Sequence, residues 1–188
     1  MKIAIFSGSF NPIHNGHLAI AREVLKQKVA DELWFLVSPQ NPLKKNRDLM
    51  DEKMRMKMVE LAIEDEPGFR VSDFELHLPR PSYTIHTLEN LKINYPEHQF
   101  VLLIGGDNLK ILHKWFEYRR ILDEFGLIVY PRPGYINQED SLFLNTTFVT
   151  APLINISATE IRKKLNKGET ISGMVPEKVA LFLQNSTL

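Results

Sequence analysis

Two histidines, His14 and His17, stand three residues apart in a segment that also contains Gly8 and Gly16. The segment follows an apolar run that ends at Phe6. Glycines let a backbone approach a ligand closely, and a helix that begins near His14 would direct its free N–H groups at an anion. Two imidazoles at this spacing lie on the same face of a helix. The segment therefore predicts a phosphate site.

Other interpretations of the histidine pair have less support from the sequence. A histidine in a loop commonly makes only local hydrogen bonds, and a pair can bind a metal ion, but no third histidine, cysteine or carboxylate stands nearby. The glycine spacings typical of a dinucleotide-binding turn and of a P-loop are absent. The usual dehydrogenase and kinase signatures are therefore missing.

A second candidate phosphate-binding segment, Ile156-Ser-Ala-Thr-Glu-Ile-Arg162, lies near the carboxyl end of the chain. Ser157 and Glu160 have the spacing of a capping box, which predicts that a helix begins here. The hydroxyl groups of Ser157 and Thr159, and the guanidinium of Arg162 one turn further on, also suit a triphosphate.

The elements that must position these two segments are strands and helices, which alternate along the chain. Continuous apolar runs predict strands at 2–6, 33–37, 69–74, 100–104, 126–130 and 147–150. Helical spacing of apolar residues predicts helices at 18–25, 51–64 and 84–94, with further helices that begin at Ser157 and Pro176. Strands that are apolar throughout indicate a parallel sheet covered on both faces. The predicted fold class is α/β, a Rossmann-like doubly wound sheet that binds ligands beyond the carboxyl ends of its strands.

Composition limits the classes of partner. A chain of 188 residues that is 44% hydrophobic predicts a single domain over 1–188. Lys and Arg together number 23, as do Asp and Glu, so no overall field attracts nucleic acid or an anionic membrane. The absence of cysteine excludes disulfides and thiolate chemistry, and no apolar run is long enough to cross a membrane. We expect a soluble cytoplasmic protein; the composition does not indicate its oligomeric state.

The two phosphate-binding segments resemble the H-x-G-H and I-S-S/A-T-x-I-R signatures of the nucleotidyltransferase superfamily with a Rossmann-like fold. Over nearly its full length the chain is similar to bacterial nicotinate mononucleotide adenylyltransferases. Three further segments carry this resemblance: the pattern Asp51-x-x-x-Arg55-x-x-Met58, the stretch Pro81-Ser-Tyr-Thr-Ile-His-Thr-Leu88, and Gly105-Gly-Asp-Asn-Leu109 followed by Trp115.

The resemblance implies transfer of the adenylyl group of ATP to nicotinate mononucleotide, with deamido-NAD and pyrophosphate as products and Mg²⁺ carried with ATP. It also implies that His14, His17 and Arg162 act on the reacting phosphates. The implied ATP-binding residues are Gly8, Ser9, Phe10, His14, His17, Gly105, Asp107, Ser157, Thr159 and Arg162. The implied acceptor-binding residues are Lys44, Thr84, Trp115 and Arg132; no protein metal ligands are implied.

Two departures from the family pattern bear on the acceptor. Leu43 replaces a histidine in the substrate loop, and His86 replaces an aspartate that the family commonly has. Nicotinamide mononucleotide and phosphopantetheine are alternative acceptors, although His14 stands where phosphopantetheine adenylyltransferases usually have threonine. The ending Ile156-Ser-Ala-Thr disfavours a cytidylyltransferase. A non-catalytic nucleotide-binding regulator is the alternative from another class, and it would bind ATP without releasing pyrophosphate.

Overall fold

The computed structural model describes residues 1–39, 49–132, 145–152 and 154–186. Within these ranges one sheet contains the six strands β1 Lys2–Gly8, β2 Glu32–Val37, β3 Phe69–Ser72, β4 Gln99–Gly105, β5 Leu127–Tyr130 and β6 Thr146–Phe148. The strand order is β3-β2-β1-β4-β5-β6, and every neighbouring pair is parallel. This is the order of a doubly wound nucleotide-binding sheet, so the predicted fold class is confirmed.

Helices connect and cover the strands. They are α1 Asn15–Lys26, α2 Glu52–Ile63, α3 Thr84–Asn94, α4 Gly106–Ile111, α5 Tyr118–Arg120, α6 Ala158–Asn166 and α7 Glu177–Ser186. Short 3₁₀ turns lie at Phe74–His77 and Leu112–Lys114, and a wider helical turn covers Ile121–Phe125. The third strand was expected to reach residue 74, but it ends at Ser72 because the chain turns at Asp73 into the first 3₁₀ turn.

Each face of the sheet has its own hydrophobic core, because successive strand residues point to opposite faces. On one face Ala4 and Phe6 of β1 pack with apolar residues of α1, α2, α6 and α7. On the other face Ile3 and Ile5 pack with α3 and with the segments that follow β4. The sheet is thus held rigid from both sides, which fixes the edge formed by the carboxyl ends of the strands. No helix within the described ranges is both long and apolar enough to cross a membrane.

Candidate active site

The predicted site residues beside β1 lie where the order of the strands in the sheet reverses. β1 pairs with β2 on one side and with β4 on the other, so the crevice of the sheet opens between β1 and β4. The histidine segment follows β1, Gly105 ends β4, and Arg132 follows β5. These residues therefore meet at one edge of the sheet, as expected from the sequence.

His14 and His17 stack against each other at the start of α1. His14 is the extended residue that precedes the helix, and its backbone N–H donates to Nδ1 of His17 at 3.2 Å. The ring centroids are 3.6 Å apart with the planes inclined by 23°. Gly16 makes this arrangement possible, since a Cβ at that position would lie 3.0 Å from Nδ1 of His14. A side chain at this position would therefore require the imidazole ring of His14 to shift by a few tenths of an ångström.

Both imidazoles are uncharged near neutral pH. Burial, helped by the positive charge of Arg132, lowers the pKa of His14 to about 4. Burial also lowers the pKa of His17 well below its usual value, and His14 and Arg132 lower it further. The pair therefore offers uncharged imidazoles to a ligand, and positive charge must come from elsewhere.

Arg132 supplies positive charge beside the histidines. It lines the same cleft as His14 and His17, and its Nη2 donates to the hydroxyl of Tyr130 at 3.2 Å. Its Nε lies 3.6 Å from Oδ1 of Asp107, and a Cβ on Gly105 would collide with that oxygen. Arg132 was predicted with the acceptor residues, but the structure brings it together with the residues predicted for ATP.

Arg162 joins the second signature to the first. Ser157 begins α6, and its hydroxyl accepts a hydrogen bond from the backbone N–H of Glu160 at 3.2 Å, as the capping pattern predicts. Arg162 donates from Nη1 to the carbonyl of Asn11 at 2.8 Å and from Nη2 to the hydroxyl of Thr159 at 3.4 Å. The start of α6 therefore lies against the segment that carries the histidines.

Phe10 supports the site from beneath. Its side chain is only 2% exposed, and its ring packs edge-on against His17 with the centroids 5.2 Å apart. A Cβ on Gly8 would lie 3.1 Å from this ring. The backbone of Phe10 has a φ of 42°, a conformation that favours glycine, so tertiary packing holds it there. Phe10 as a whole is thus part of the core, and the neighbouring Ser9 is partly exposed.

Two of the predicted acceptor residues, Thr84 and Trp115, lie on the other side of β1. Thr84 is the first residue of α3, and it lines a small cavity with Ser7, Glu75 and Thr87. Trp115 packs against the core on this face, and its buried Nε1 has no partner within the described ranges. The remaining acceptor residue Lys44, and with it Leu43, lies outside the described residues.

His86, which replaces an aspartate of the family pattern, is exposed on α3. Its ring packs edge-on against that of Phe116 with the centroids 5.6 Å apart. The ring of Tyr83 lies 4.8 Å from the ring of Phe116. An imidazole at this position therefore makes aromatic contacts that a carboxylate would not make.

Comparison with known proteins identifies the family. Residues 5–164 match the family model described as cytidylyltransferase-like. The chain belongs to this family. It is 51% identical, over 90% of its length and 85% of the relative, to a protein of Bacteroides fragilis named "probable nicotinate-nucleotide adenylyltransferase". A protein of Bacteroides thetaiotaomicron with the same name is 46% identical over 98% of this chain and 91% of its own length. The resemblance inferred from the motifs is confirmed.

Solved structures of other proteins share the fold. A nicotinic acid mononucleotide adenylyltransferase of Plasmodium falciparum, complexed with NaAD, superposes with a TM-score of 0.85 at 21% identity, covering 100% of this chain and 96% of that one. The same protein complexed with APC gives a TM-score of 0.84. At this identity the likeness shows the fold alone.

Two buried charged residues of this chain, Arg55 and Glu75, were not among the predicted site residues. Arg55 is completely buried, and its guanidinium donates to the backbone carbonyls of Ser9, Ser38, Pro39 and Met50 at 2.7 to 3.4 Å.

Glu75 is the second of these residues and accepts hydrogen bonds from the hydroxyls of Ser7 and Ser82. The helical offset of Arg55 from the buried Met58 and Val59 indicates its burial, whereas no sequence pattern indicates the partners of Glu75.

Proposed function

We propose that the protein joins ATP and nicotinate mononucleotide to give deamido-NAD and pyrophosphate. The observation that carries this proposal is the contact between Arg162 and Asn11, which brings the two phosphate-binding signatures together at the crevice of the sheet. The names of the relatives that match nearly the full chain support nicotinate mononucleotide as the acceptor.

The reaction is an in-line displacement at the α-phosphorus of ATP. An oxygen of the acceptor 5′-phosphate forms the new P–O bond, the bond to the bridging oxygen of the β-phosphate breaks, and pyrophosphate leaves with the electron pair. The attacking oxygen is already anionic, so the protein needs no general base. Its tasks are to orient the two phosphates and to stabilise the negative charge that spreads over the α-phosphate.

The residues proposed for ATP divide into neutral donors and cations. His14 and His17, uncharged at neutral pH, present ring N–H groups to the phosphates without the desolvation cost of a buried charge. Arg132, after β5, and Arg162, in α6, supply positive charge. Backbone N–H groups at the start of α1 and α6 add further donors.

The remaining ATP residues are proposed to hold the ends of the nucleotide. Asp107 follows β4, where a carboxylate accepts hydrogen bonds from a ribose. Ser157 and Thr159 are exposed at the start of α6, where their hydroxyls can reach the β- and γ-phosphates. Gly8 and Gly105 leave room for the side chains of Phe10 and Asp107. The backbone of these glycines and of Ser9 is proposed to contact the nucleotide.

We propose that Mg²⁺ enters as part of the ATP substrate. Mg²⁺ prefers oxygen ligands in an octahedral arrangement, whereas the histidine pair offers nitrogen. Within the described ranges, no group of three or more histidine, cysteine or carboxylate side chains is arranged to hold a metal ion. These donors do not fit a magnesium ion held by the protein, so the phosphate oxygens are its proposed ligands.

The proposed acceptor site lies at the amino end of α3. Free backbone N–H groups in the first turn of this helix, beside Thr84, suit the carboxylate of nicotinate. The indole of Trp115 offers a flat face to the pyridinium ring. Lys44, outside the described residues, is proposed for the acceptor phosphate.

A pyrophosphate-release assay with ATP and Mg²⁺ tests the function. Nicotinate mononucleotide, nicotinamide mononucleotide and phosphopantetheine are compared as acceptors at equal concentration. We expect the highest kcat/KM with nicotinate mononucleotide. Preference for either other acceptor would reassign the substrate. ATP binding without pyrophosphate release from any acceptor would support a non-catalytic regulator instead.

A further inference from the structure

The carboxylate of Glu75 connects two segments that approach the proposed site from different parts of the chain. Glu75 lies in the 3₁₀ turn after β3 and is 7% exposed. Its Oε2 accepts a hydrogen bond from Oγ of Ser7 at 2.7 Å, and its Oε1 accepts one from Oγ of Ser82 at 3.2 Å. One buried side chain therefore connects β1 to the segment that precedes α3.

The two serines stand immediately before the residues proposed to bind the substrates. Ser7 lies in β1 directly before Gly8, where the ATP segment begins, and Ser82 lies two residues before Thr84 of the acceptor site. Glu75, Ser7 and Thr84 also line the same cavity. The carboxylate thus lies between β1 and the segment that leads into the first turn of α3.

We propose that Glu75 is a positioning residue that sets the acceptor-binding turn at Thr84 relative to the ATP segment, an inference that rests on the proposed function. The distance between the ATP segment and the acceptor site matters, because in-line displacement requires the attacking oxygen to lie close to the α-phosphorus and in line with the leaving group. Glu75 itself is not proposed to touch either substrate.

Burial of this carboxylate is costly for the fold. Desolvation raises the pKa of Glu75, while the hydrogen bonds from Ser7 and Ser82 lower it. An apolar side chain of similar size would fill the same space without this desolvation cost. The carboxylate therefore provides what an apolar side chain cannot, which is two directional contacts that fix Ser7 and Ser82 in place.

Steady-state kinetics of three variants test the proposal. Glu75→Leu removes both contacts, Ser82→Ala removes only the contact to the acceptor segment, and Glu75→Gln keeps a side chain that can bond to both hydroxyls. We expect KM for nicotinate mononucleotide to rise roughly 10-fold in Glu75→Leu and about fivefold in Ser82→Ala. KM for ATP should change less than about twofold, and Glu75→Gln should restore KM to within about twofold of the unaltered protein.

Glu32→Leu is the matched control. Glu32 is a partly buried carboxylate that, like Glu75, accepts a side-chain hydrogen bond, here from Nε1 of Trp34 at 2.9 Å. It lies at the amino end of β2, away from the site. Its loss should lower the thermal midpoint and leave both Michaelis constants unchanged.

The double variant Glu75→Leu/Ser82→Ala supplies a second test, because its KM shows whether the two effects add. If Glu75 acts on the acceptor through Ser82, adding Ser82→Ala to Glu75→Leu should raise KM no further. If Glu75→Leu does not fold, the single Ser82→Ala variant decides by its effect on KM. The proposed role of Glu75 would be overturned if KM for nicotinate mononucleotide were unchanged in an active variant, or if both Michaelis constants rose equally. Either result would leave the proposed function intact. Failure of the unaltered protein to use nicotinate mononucleotide would instead overturn the proposed function and this inference with it.

Discussion

Arg162 donates a hydrogen bond from Nη1 to the backbone carbonyl of Asn11 at 2.8 Å, across nearly the whole length of the chain. Asn11 belongs to the segment after β1, and Arg162 belongs to α6, the helix that follows the last strand of the sheet. Ile161, beside the arginine, is completely buried, so the helix cannot shift without disturbing the core. The contact therefore holds both phosphate-binding segments in one arrangement.

Replacement of Arg162 by alanine should lower kcat/KM by roughly 100-fold or more, because a preorganised cation is removed from the proposed phosphate site. Arg162→Lys should recover only part of this loss, since an ammonium group cannot bond to Asn11 and Thr159 with the planar geometry of guanidinium. Pyrophosphate release with ATP and nicotinate mononucleotide measures both variants.

Lys163→Ala is the control for this experiment. Lys163 is the next residue of α6 and is exposed, so its removal changes the net charge equally without touching Asn11. Turnover of Lys163→Ala should stay near that of the unaltered protein. Equal losses of kcat/KM in Arg162→Ala and Lys163→Ala would mean that Arg162 acts only through its contribution to the net charge of the protein.

Replacement of His17 by alanine should lower kcat by about 100-fold or more while the fold persists, the scale seen when one preorganised donor is lost. The ring stacks on His14 and packs against Phe10 at the start of α1, and the helix itself retains its other contacts. His77→Ala is a suitable control, because that histidine is largely exposed and pairs only locally, with Asp73. Near-normal turnover by His17→Ala would exclude a direct role for this imidazole.

The sheet and its helices could be predicted because their signals are local. A strand covered by helices on both faces is apolar at every position, as in the run 100–104 of β4. β3 departs from the expectation because it is an edge strand, where pairing to β2 alone lets the chain turn away after Ser72. The phosphate segments could also be predicted, because glycines and histidines at short spacing carry the chemistry within a few residues.

Residues fixed by long-range contacts could not be placed in the same way. Phe10 stands inside the motif, yet its ring is buried because Phe6 and Phe35 of neighbouring strands surround it. Arg132 was expected at this edge of the sheet, but its positions beside Asp107 and in the histidine cleft depend on contacts between distant segments that the sequence does not show. Its part in acceptor binding stays a prediction.

The fold should lose stability in acid through His14. In the unfolded chain this histidine has a pKa near 6.5, and in the folded protein the value falls to about 4. Between these two values the unfolded chain binds a proton that the folded protein does not, so the contribution of His14 is complete above pH 6.5 and declines as the pH falls towards 4. We expect a loss of about 2 kcal/mol in the free energy of unfolding between about pH 7.5 and 5.

Urea unfolding of the unaltered protein and of His14→Asn, each at both pH values, measures this effect. The asparagine variant cannot titrate at this position, so its loss of stability over the same interval should be smaller by about 2 kcal/mol. Glu75 titrates in both proteins, so its contribution cancels in the comparison. His14 also lowers the pKa of His17, so the difference between the two proteins includes the relief of part of that depression in the variant. Identical pH dependence of the two proteins would contradict the low pKa of His14.

Arg55 should be the most costly single charge to remove from this fold. Its guanidinium is fully buried and bonds to backbone carbonyls on three separate stretches, at Ser9, at Ser38 and Pro39, and at Met50. Arg55→Leu leaves these buried acceptors without their donor, so we expect the free energy of unfolding to fall by about 3 to 5 kcal/mol.

The matched variant Lys57→Leu removes an exposed cation from the same helix and should change stability by less than about 0.5 kcal/mol. Because the carbonyl of Ser9 belongs to the ATP segment, Arg55→Leu should also raise KM for ATP under conditions where the variant remains folded. A stable Arg55→Leu protein would mean that its carbonyl partners find other donors, and that this guanidinium does not hold the ends of β1 and β2 together.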